Sequence, residues 1–156
     1  MPKLRIFVRA AIAAVFCAVG ANATAQVTAT AGVASLYLDR GLDAGAGQPQ
    51  IYGDISYQSD LGWYASVWGS SVGNSPGGTH EYDLIVGWDF TLRDIDLFFG
   101  AVTYLYPGDT NGDAFDESEV FFGMSWRGLT FYAYDNVASQ YADNTGYVYV
   151  AASYIY

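Results

Sequence analysis

His80 stands beside Glu81 and a few residues after Ser75, side-chain types that a serine hydrolase uses as base, orienting acid and nucleophile. Such triads are defined by geometry, and adjacency in sequence says little about convergence. A solvated histidine at the end of the 73–79 loop is the simpler account, and no enzymatic activity is expected. The run Asp109-Thr110-Asn111-Gly112-Asp113-Ala114-Phe115-Asp116-Glu117 spaces oxygen ligands somewhat as a calcium loop does. It departs from the Asp-x-(Asp/Asn)-x-(Asp/Asn)-Gly pattern and lacks flanking helices, so it reads as a solvated acidic loop with weak divalent-cation affinity at most. No cofactor or bound metal is expected.

Five carboxylates, Asp54, Glu81, Asp83, Asp89 and Glu119, lie on the polar faces of otherwise apolar runs. Fixed negative charge along a confined path favours cations. Arg40 is the one basic residue in the longer connections. It is expected at the mouth of such a path or folded inward against carboxylates such as Asp54, Asp83 or Glu119, or equally in a surface ion pair worth little.

The elements that must position these residues begin after a leader. Lys3, Arg5 and Arg9 precede an apolar stretch from Ala10 to Val19, followed by the small residues Ala21-Asn22-Ala23-Thr24-Ala25. This is the pattern of a cleaved secretory signal peptide occupying residues 1–25, with cleavage after Ala25, or after Ala23 as second choice. Its apolar run falls short of the roughly 20 residues a spanning helix needs. Cys17, the only cysteine, lies within it, so the mature domain, residues 26–156, has neither a disulfide nor a lipidated cysteine. That domain carries 16 carboxylates against Arg40, Arg93 and Arg127, a formal charge of −13. Nucleic acid is excluded as a partner, because phosphate contacts need clustered Lys and Arg.

Aromatic residues make up 17% of the chain and charged residues only 14%, an apolar balance for a domain of this size. Period-two alternation rich in Tyr, Phe, Trp and Val recurs, punctuated by Gly, Asn and Asp. Eight strands are expected, at residues 27–38, 49–58, 63–72, 80–90, 95–106, 118–126, 129–134 and 146–156. Most approach the 9–11 residues with which a tilted strand crosses a bilayer. Short connections at 59–62, 91–94 and 127–128 alternate with long ones at 39–48, 73–79, 107–117 and 135–145. In a meander this gathers the long loops at one end and the short turns with both termini at the other, as in outer-membrane barrels. Tyr82, Leu84, Val86, Trp88 and Phe90 share one face, and Glu81, Asp83, Ile85, Gly87 and Asp89 the other. In the fifth segment the face of Leu97, Phe99, Ala101, Thr103 and Leu105 is assigned to lipid. Trp63, Trp88, Phe90, Tyr106, Trp126, Tyr154 and Tyr156 lie towards strand ends, where interfacial girdles belong. A soluble β-sandwich shows the same alternation, so the pattern alone leaves a secreted binding protein open.

Several runs resemble the TorF-type porins, a bacterial family once described only as conserved hypothetical proteins. Tyr37-Leu38-Asp39-Arg40-Gly41-Leu42 is similar to its Tyr-x-x-Arg-Gly-(Ile/Leu) signature, and Gly62-Trp63-Tyr64-Ala65-Ser66-Val67-Trp68-Gly69-Ser70 to its Gly-(Leu/Trp)-Tyr-Ala-x-x-Trp-x-Ser strand. Glu81-Tyr82-Asp83-Leu84-Ile85-Val86-Gly87-Trp88, Tyr104-Leu105-Tyr106-Pro107-Gly108 and Glu119-Val120-Phe121-Phe122-Gly123-Met124-Ser125-Trp126 resemble three further motifs in the same order. The resemblance implies an all-β, antiparallel, up-and-down transmembrane β-barrel of the outer membrane with a pore function and no defined substrate. Family members usually continue with further strand pairs. The chain is therefore expected either to close as eight strands or to form the N-terminal part of a larger barrel. Eight strands leave an interior that side chains can fill, whereas wide channels occur at around 16. The expected function is a narrow, cation-preferring pore for small solutes, with a non-conducting structural or surface-interaction barrel as the alternative. Its partners would be outer-membrane lipid and lipopolysaccharide, the outer-membrane assembly machinery through the last strand, and small solutes or ions.

Overall fold

β-Branched and aromatic residues at alternate positions suit a pleated strand with two chemically different sides. In a computed structural model, which describes residues 26–75, 78–107, 117–139 and 145–155, they form strands and no helix. The strands are β1 (Gln26–Ala34), β2 (Leu38–Asp39), β3 (Leu42–Asp43), β4 (Gln50–Gln58), β5 (Trp63–Ser75), β6 (Gly78–Leu92), β7 (Ile95–Leu105), β8 (Glu117–Trp126), β9 (Leu129–Ser139) and β10 (Val148–Tyr154). Eight of them make one antiparallel sheet in the order β1-β4-β5-β6-β7-β8-β9-β10, and β2 with β3 forms a separate small hairpin. The signal-peptide segment, most of the 109–117 acidic run and Tyr156 lie outside the described residues.

Four differences from the sequence expectation have local causes. The first strand stops at Ala34, and the chain then turns back through the β2–β3 hairpin. The 73–79 connection is largely strand, since β5 runs on to Ser75 and β6 begins at Gly78, across a register shift between Ser71 and Ser75. His80 therefore sits inside β6, opposite Ser71, and not at the end of a loop. β9 continues past Tyr134 to Ser139, pairing with β8 across a register shift that sets Asn136 opposite Glu119 and Ala138 opposite Ser118.

Register assigns each strand two faces. Across β5 to β8 the residues Trp63, Trp88, Phe99 and Phe122 lie side by side in register. Trp63 and Trp88 stack at 4.7 Å, and Trp88 meets Phe99 at 6.2 Å. This convex face presents large apolar side chains on all eight strands of the sheet, among them Val27, Ile55, Val67, Phe90, Phe99, Phe122, Phe131 and Val150, each more than a third exposed. Leu97 and Phe99 belong to it, in register with Phe90, Trp88, Met124 and Phe122.

The opposite face carries Asp54, Trp68, Asp83, Tyr104 and Glu117 in one register row. Buried side chains are mostly polar, including Glu81, Glu119, Gln50 and Asn136, against only Val72, Val102 and Phe121 among the buried apolar ones described. Several glycines of this face lie under aromatic rings. A Cβ at Gly87 would strike the Tyr64 ring, at Gly100 the Phe121 ring and the Val86 carbonyl, and at Gly123 the Phe98 ring. These glycines let bulky rings lie flat on the inner side of a curved sheet, where side chains are most crowded. β1 and β10 remain edge strands, each paired on one side only, so the sheet is curled but not closed.

Candidate functional site

The site is organised by a tight turn. Asp39 pairs with Leu42, and between them Arg40 and Gly41 both take positive φ, 50° and 85°. Two successive left-handed residues make the type I′ turn whose twist matches a hairpin, and glycine in the second place carries it without strain. The base of the hairpin is also fixed: the Ala44 amide donates to the Tyr37 carbonyl at 3.0 Å, and the Asp43 carboxylate accepts from the amides of Gly45 and Gly47 at 3.0 and 2.7 Å. The hairpin thus holds Arg40 at its tip and turns it onto the concave face of the sheet.

There the guanidinium meets the far strands. Nη1 donates to Glu119 Oε1 at 2.8 Å and Nη2 to Oε2 at 2.5 Å, a two-pronged pairing that suits a planar fork of N–H groups. Tyr104 on β7 accepts from Nη2 at 3.4 Å and donates its own hydroxyl to Glu119 Oε2 at 2.8 Å. The guanidinium carbon lies 4.9 Å from the ring centroids of both Tyr134 on β9 and Tyr149 on β10. That distance is within the range over which an aromatic face attracts a cation. Arg40 therefore touches β7, β8, β9 and β10, all distant from it in the chain. Its hydrogen bond to Glu119 raises its pKa above the usual arginine value against the opposing pull of desolvation, so it stays charged.

Next to this pairing lies a cavity of about 530 Å³ lined by Tyr37, Asp39, Arg40, Glu81, Asp83, Tyr104, Tyr106, Glu117, Glu119, Tyr134 and Tyr149, among others. Glu81 is buried and accepts from the Tyr106 hydroxyl at 2.8 Å. Asp83 Oδ1 is buried with no hydrogen-bond partner among the described residues. The half-buried Tyr37 packs its ring 5.7 Å from Trp68. Burial, with Glu81, Asp83 and Asp39 nearby, pushes its hydroxyl well above the ordinary tyrosine range, so it remains a neutral donor.

Of the carboxylates singled out from the sequence, Glu81, Asp83 and Glu119 converge on this cavity with Arg40. Asp54 lies on the same face but bonds Thr30 of β1, and Asp89 sits towards the short-turn end, where it accepts from Gln58 Nε2 at 3.1 Å. Tyr106, expected in an interfacial girdle, instead turns inward to Glu81. His80 is exposed and Glu81 buried, as consecutive strand positions must be on opposite faces, so the two do not converge. The tyrosines around Arg40 are absent from the sequence-derived set, although strand parity already places Tyr104 with Asp96 and Phe98.

At the short-turn end Arg127 and Gly128 repeat the turn of Arg40 and Gly41, with φ of 48° and 83°. Trp126 Nε1 donates to Asp94 Oδ2 at 2.8 Å, and the Arg127 guanidinium lies over the Trp126 ring at 5.0 Å.

No curated protein and no solved structure matches the chain. A family model described as a bacterial protein of unknown function (Gcw_chp) matches residues 18–156, and the chain belongs to that family.

Proposed function

We propose that the protein is an outer-membrane β-barrel whose interior forms a narrow, cation-preferring path for small solutes. The observation that carries the reading is the inversion of the sheet: its convex face is apolar on every strand, while its concave face holds the carboxylates and an ion pair. A soluble sandwich places the apolar side inwards. Here each large apolar side chain withdrawn from water would gain roughly 1.5–3 kcal/mol, and only a bilayer or a second apolar surface can provide that withdrawal. The antiparallel strands suit closure of β1 against β10, since an even number of strands brings the two edges together antiparallel. The stacked Trp63 and Trp88 and the Trp126–Asp94 pair occupy the short-turn end, where an aromatic belt would meet the periplasmic interface.

Cation preference rests on the acidic residues facing inwards: Asp39, Glu81, Asp83, Glu117 and Glu119 line the cavity, with Arg40 the one basic residue among its lining. The test is extraction in detergent with heat-modifiable gel mobility, followed by planar-bilayer recording. A folded band that shifts on boiling, with cation selectivity reduced by Glu117→Gln, supports the reading. Anion-selective currents would remove the cation preference, and extraction without detergent would remove the barrel.

One observation favours the second reading, a barrel that does not conduct. Arg40 reaches from the β2–β3 hairpin to Glu119 on β8 and lies against Tyr134 and Tyr149, so it crosses the interior. In that case the same recordings show no channels while the heat-modifiable band remains.

A further inference from the structure

The surroundings of Arg40 are more specific than a structural ion pair needs. A carboxylate presents both oxygens to the two Nη atoms, a tyrosine hydroxyl orients that carboxylate, and two further tyrosine rings lie within 4.9 Å of the guanidinium carbon. The fork of Glu119 rewards paired N–H donors, and the rings reward a flat, weakly hydrated cation. Sodium offers no such donors and tetramethylammonium offers none to the carboxylate. The cage is also continuous with the cavity of about 530 Å³, a volume within the range of small-molecule sites. Glu81 and Asp83 line that cavity as well.

We infer that the cage formed by Glu119, Tyr104, Tyr134 and Tyr149 is a binding site for small guanidinium-bearing solutes, and that Arg40 is its tethered occupant in the resting protein. The inference rests on the reading of the concave face as a solute path, because a ligand reaches the cage only from that side. Binding itself can be measured without conduction.

Tethering sets the strength of the competition. A short linker holds its ligand at an effective concentration on the order of millimolar. A free guanidinium compound must overcome that concentration in the native protein, whereas removing the Arg40 side chain leaves the site open to it. The mark of a binding cage is therefore saturable binding to the native protein in competition with Arg40, whereas a purely structural ion pair admits the free cation only once the arginine is removed.

The test titrates ethylguanidinium chloride into detergent-solubilised protein by calorimetry, against sodium chloride and tetramethylammonium chloride at equal ionic strength. Arg40→Ala is expected to bind ethylguanidinium saturably and at least tenfold more tightly than the native protein. Tetramethylammonium should bind more weakly, and Arg40→Ala/Glu119→Gln should lose the gain. Heat-modifiable mobility of each variant reports on the barrel separately, so a failed titration in a shifted band counts against the cage alone. Because Arg40→Ala strands a buried carboxylate, Arg40→Lys is titrated in parallel. It keeps a cation but not the fork, and ethylguanidinium should displace it more readily than it displaces arginine. Absence of saturable ethylguanidinium binding to the native protein, equal affinities of the variants and the native protein, or a gain that survives Glu119→Gln, would overturn the inference.

Discussion

Arg40 and Glu119, 79 residues apart in sequence, are joined by two hydrogen bonds of 2.8 and 2.5 Å, and this pair ties the β2–β3 hairpin to strand β8. Glu119 retains 3% side-chain exposure and Arg40 19%, so the two groups face each other largely out of water. Removing one partner of a buried pair costs about 3–5 kcal/mol, because the remaining charge is left uncompensated. Arg40→Ala should therefore destabilise the protein by that order, and adding Glu119→Gln should recover part of the loss. The check is a double-mutant cycle by urea unfolding in detergent or lipid, with a coupling of about 1–3 kcal/mol expected.

Gly100 lies beneath the Phe121 ring and close to the Val86 carbonyl, so an added methyl meets backbone that cannot swing aside. Gly100→Ala is expected to lower stability by about 1–3 kcal/mol, the usual range for overpacking. Gly41→Ala is a contrast: nothing stands near a Cβ there, and only the positive φ of 85° resists it. Unfolding curves of the two variants should separate crowding from backbone strain, with Gly41→Ala also loosening Arg40 from Glu119.

Asp39 Oδ1 lies 4.0 Å from Arg40 Nε. Desolvation raises its pKa, with Arg40 opposing the shift and Glu119 adding to it. A carboxyl whose folded pKa is raised favours the folded state when protonated. Its contribution to stability is thus present below the ordinary carboxylate pKa and is lost as pH rises through the raised value. Asp39→Asn should remove this part of the pH dependence. Melting temperature measured from pH 3 to pH 8 should show the native protein losing more of its stability across that range than the variant, as an order-of-magnitude comparison of slopes.

Closure of the sheet can be tested directly, since the domain after Ala25 has no cysteine. Ala29 and Ala31 on β1 and Val150 and Ala152 on β10 share the convex face of the two edges. A disulfide requires Cα atoms within about 4.4–6.8 Å. Oxidation of cysteine pairs drawn from these positions in lipid should yield one or two cross-linked combinations that fix the register. Failure of every combination would show that the edges do not meet.

The strands and their faces were legible because period-two alternation survives folding unchanged: Tyr82, Leu84, Val86 and Trp88 share a face in the chain and in the sheet. The tight turn at Arg127 and Gly128 was legible too. The same dipeptide at Arg40 and Gly41 lay in what read as a long loop, although its two positive φ values make the same turn. That recurrence was the available signal for the hairpin. Its docking was not readable, because nothing local to residue 40 says that Glu119, Tyr134 and Tyr149 will meet there. Those contacts arise from sheet curvature, which depends on glycines such as Gly100 and Gly123 being matched to rings on neighbouring strands.

The β2–β3 hairpin has a consequence for the order of assembly. Arg40 lies on the β2–β3 hairpin, while Tyr149 belongs to β10 and Tyr134 to β9. The ring pair over the guanidinium is therefore complete only when β10 has been laid against β9. Until then Glu119 has Tyr104 and Arg40 but not the full aromatic wall. Contacts this distant in sequence carry a large loop-closure entropy and form slowly. Glu119 can thus hold Arg40 before β10 joins the sheet, and the Tyr149 ring comes over the guanidinium only afterwards.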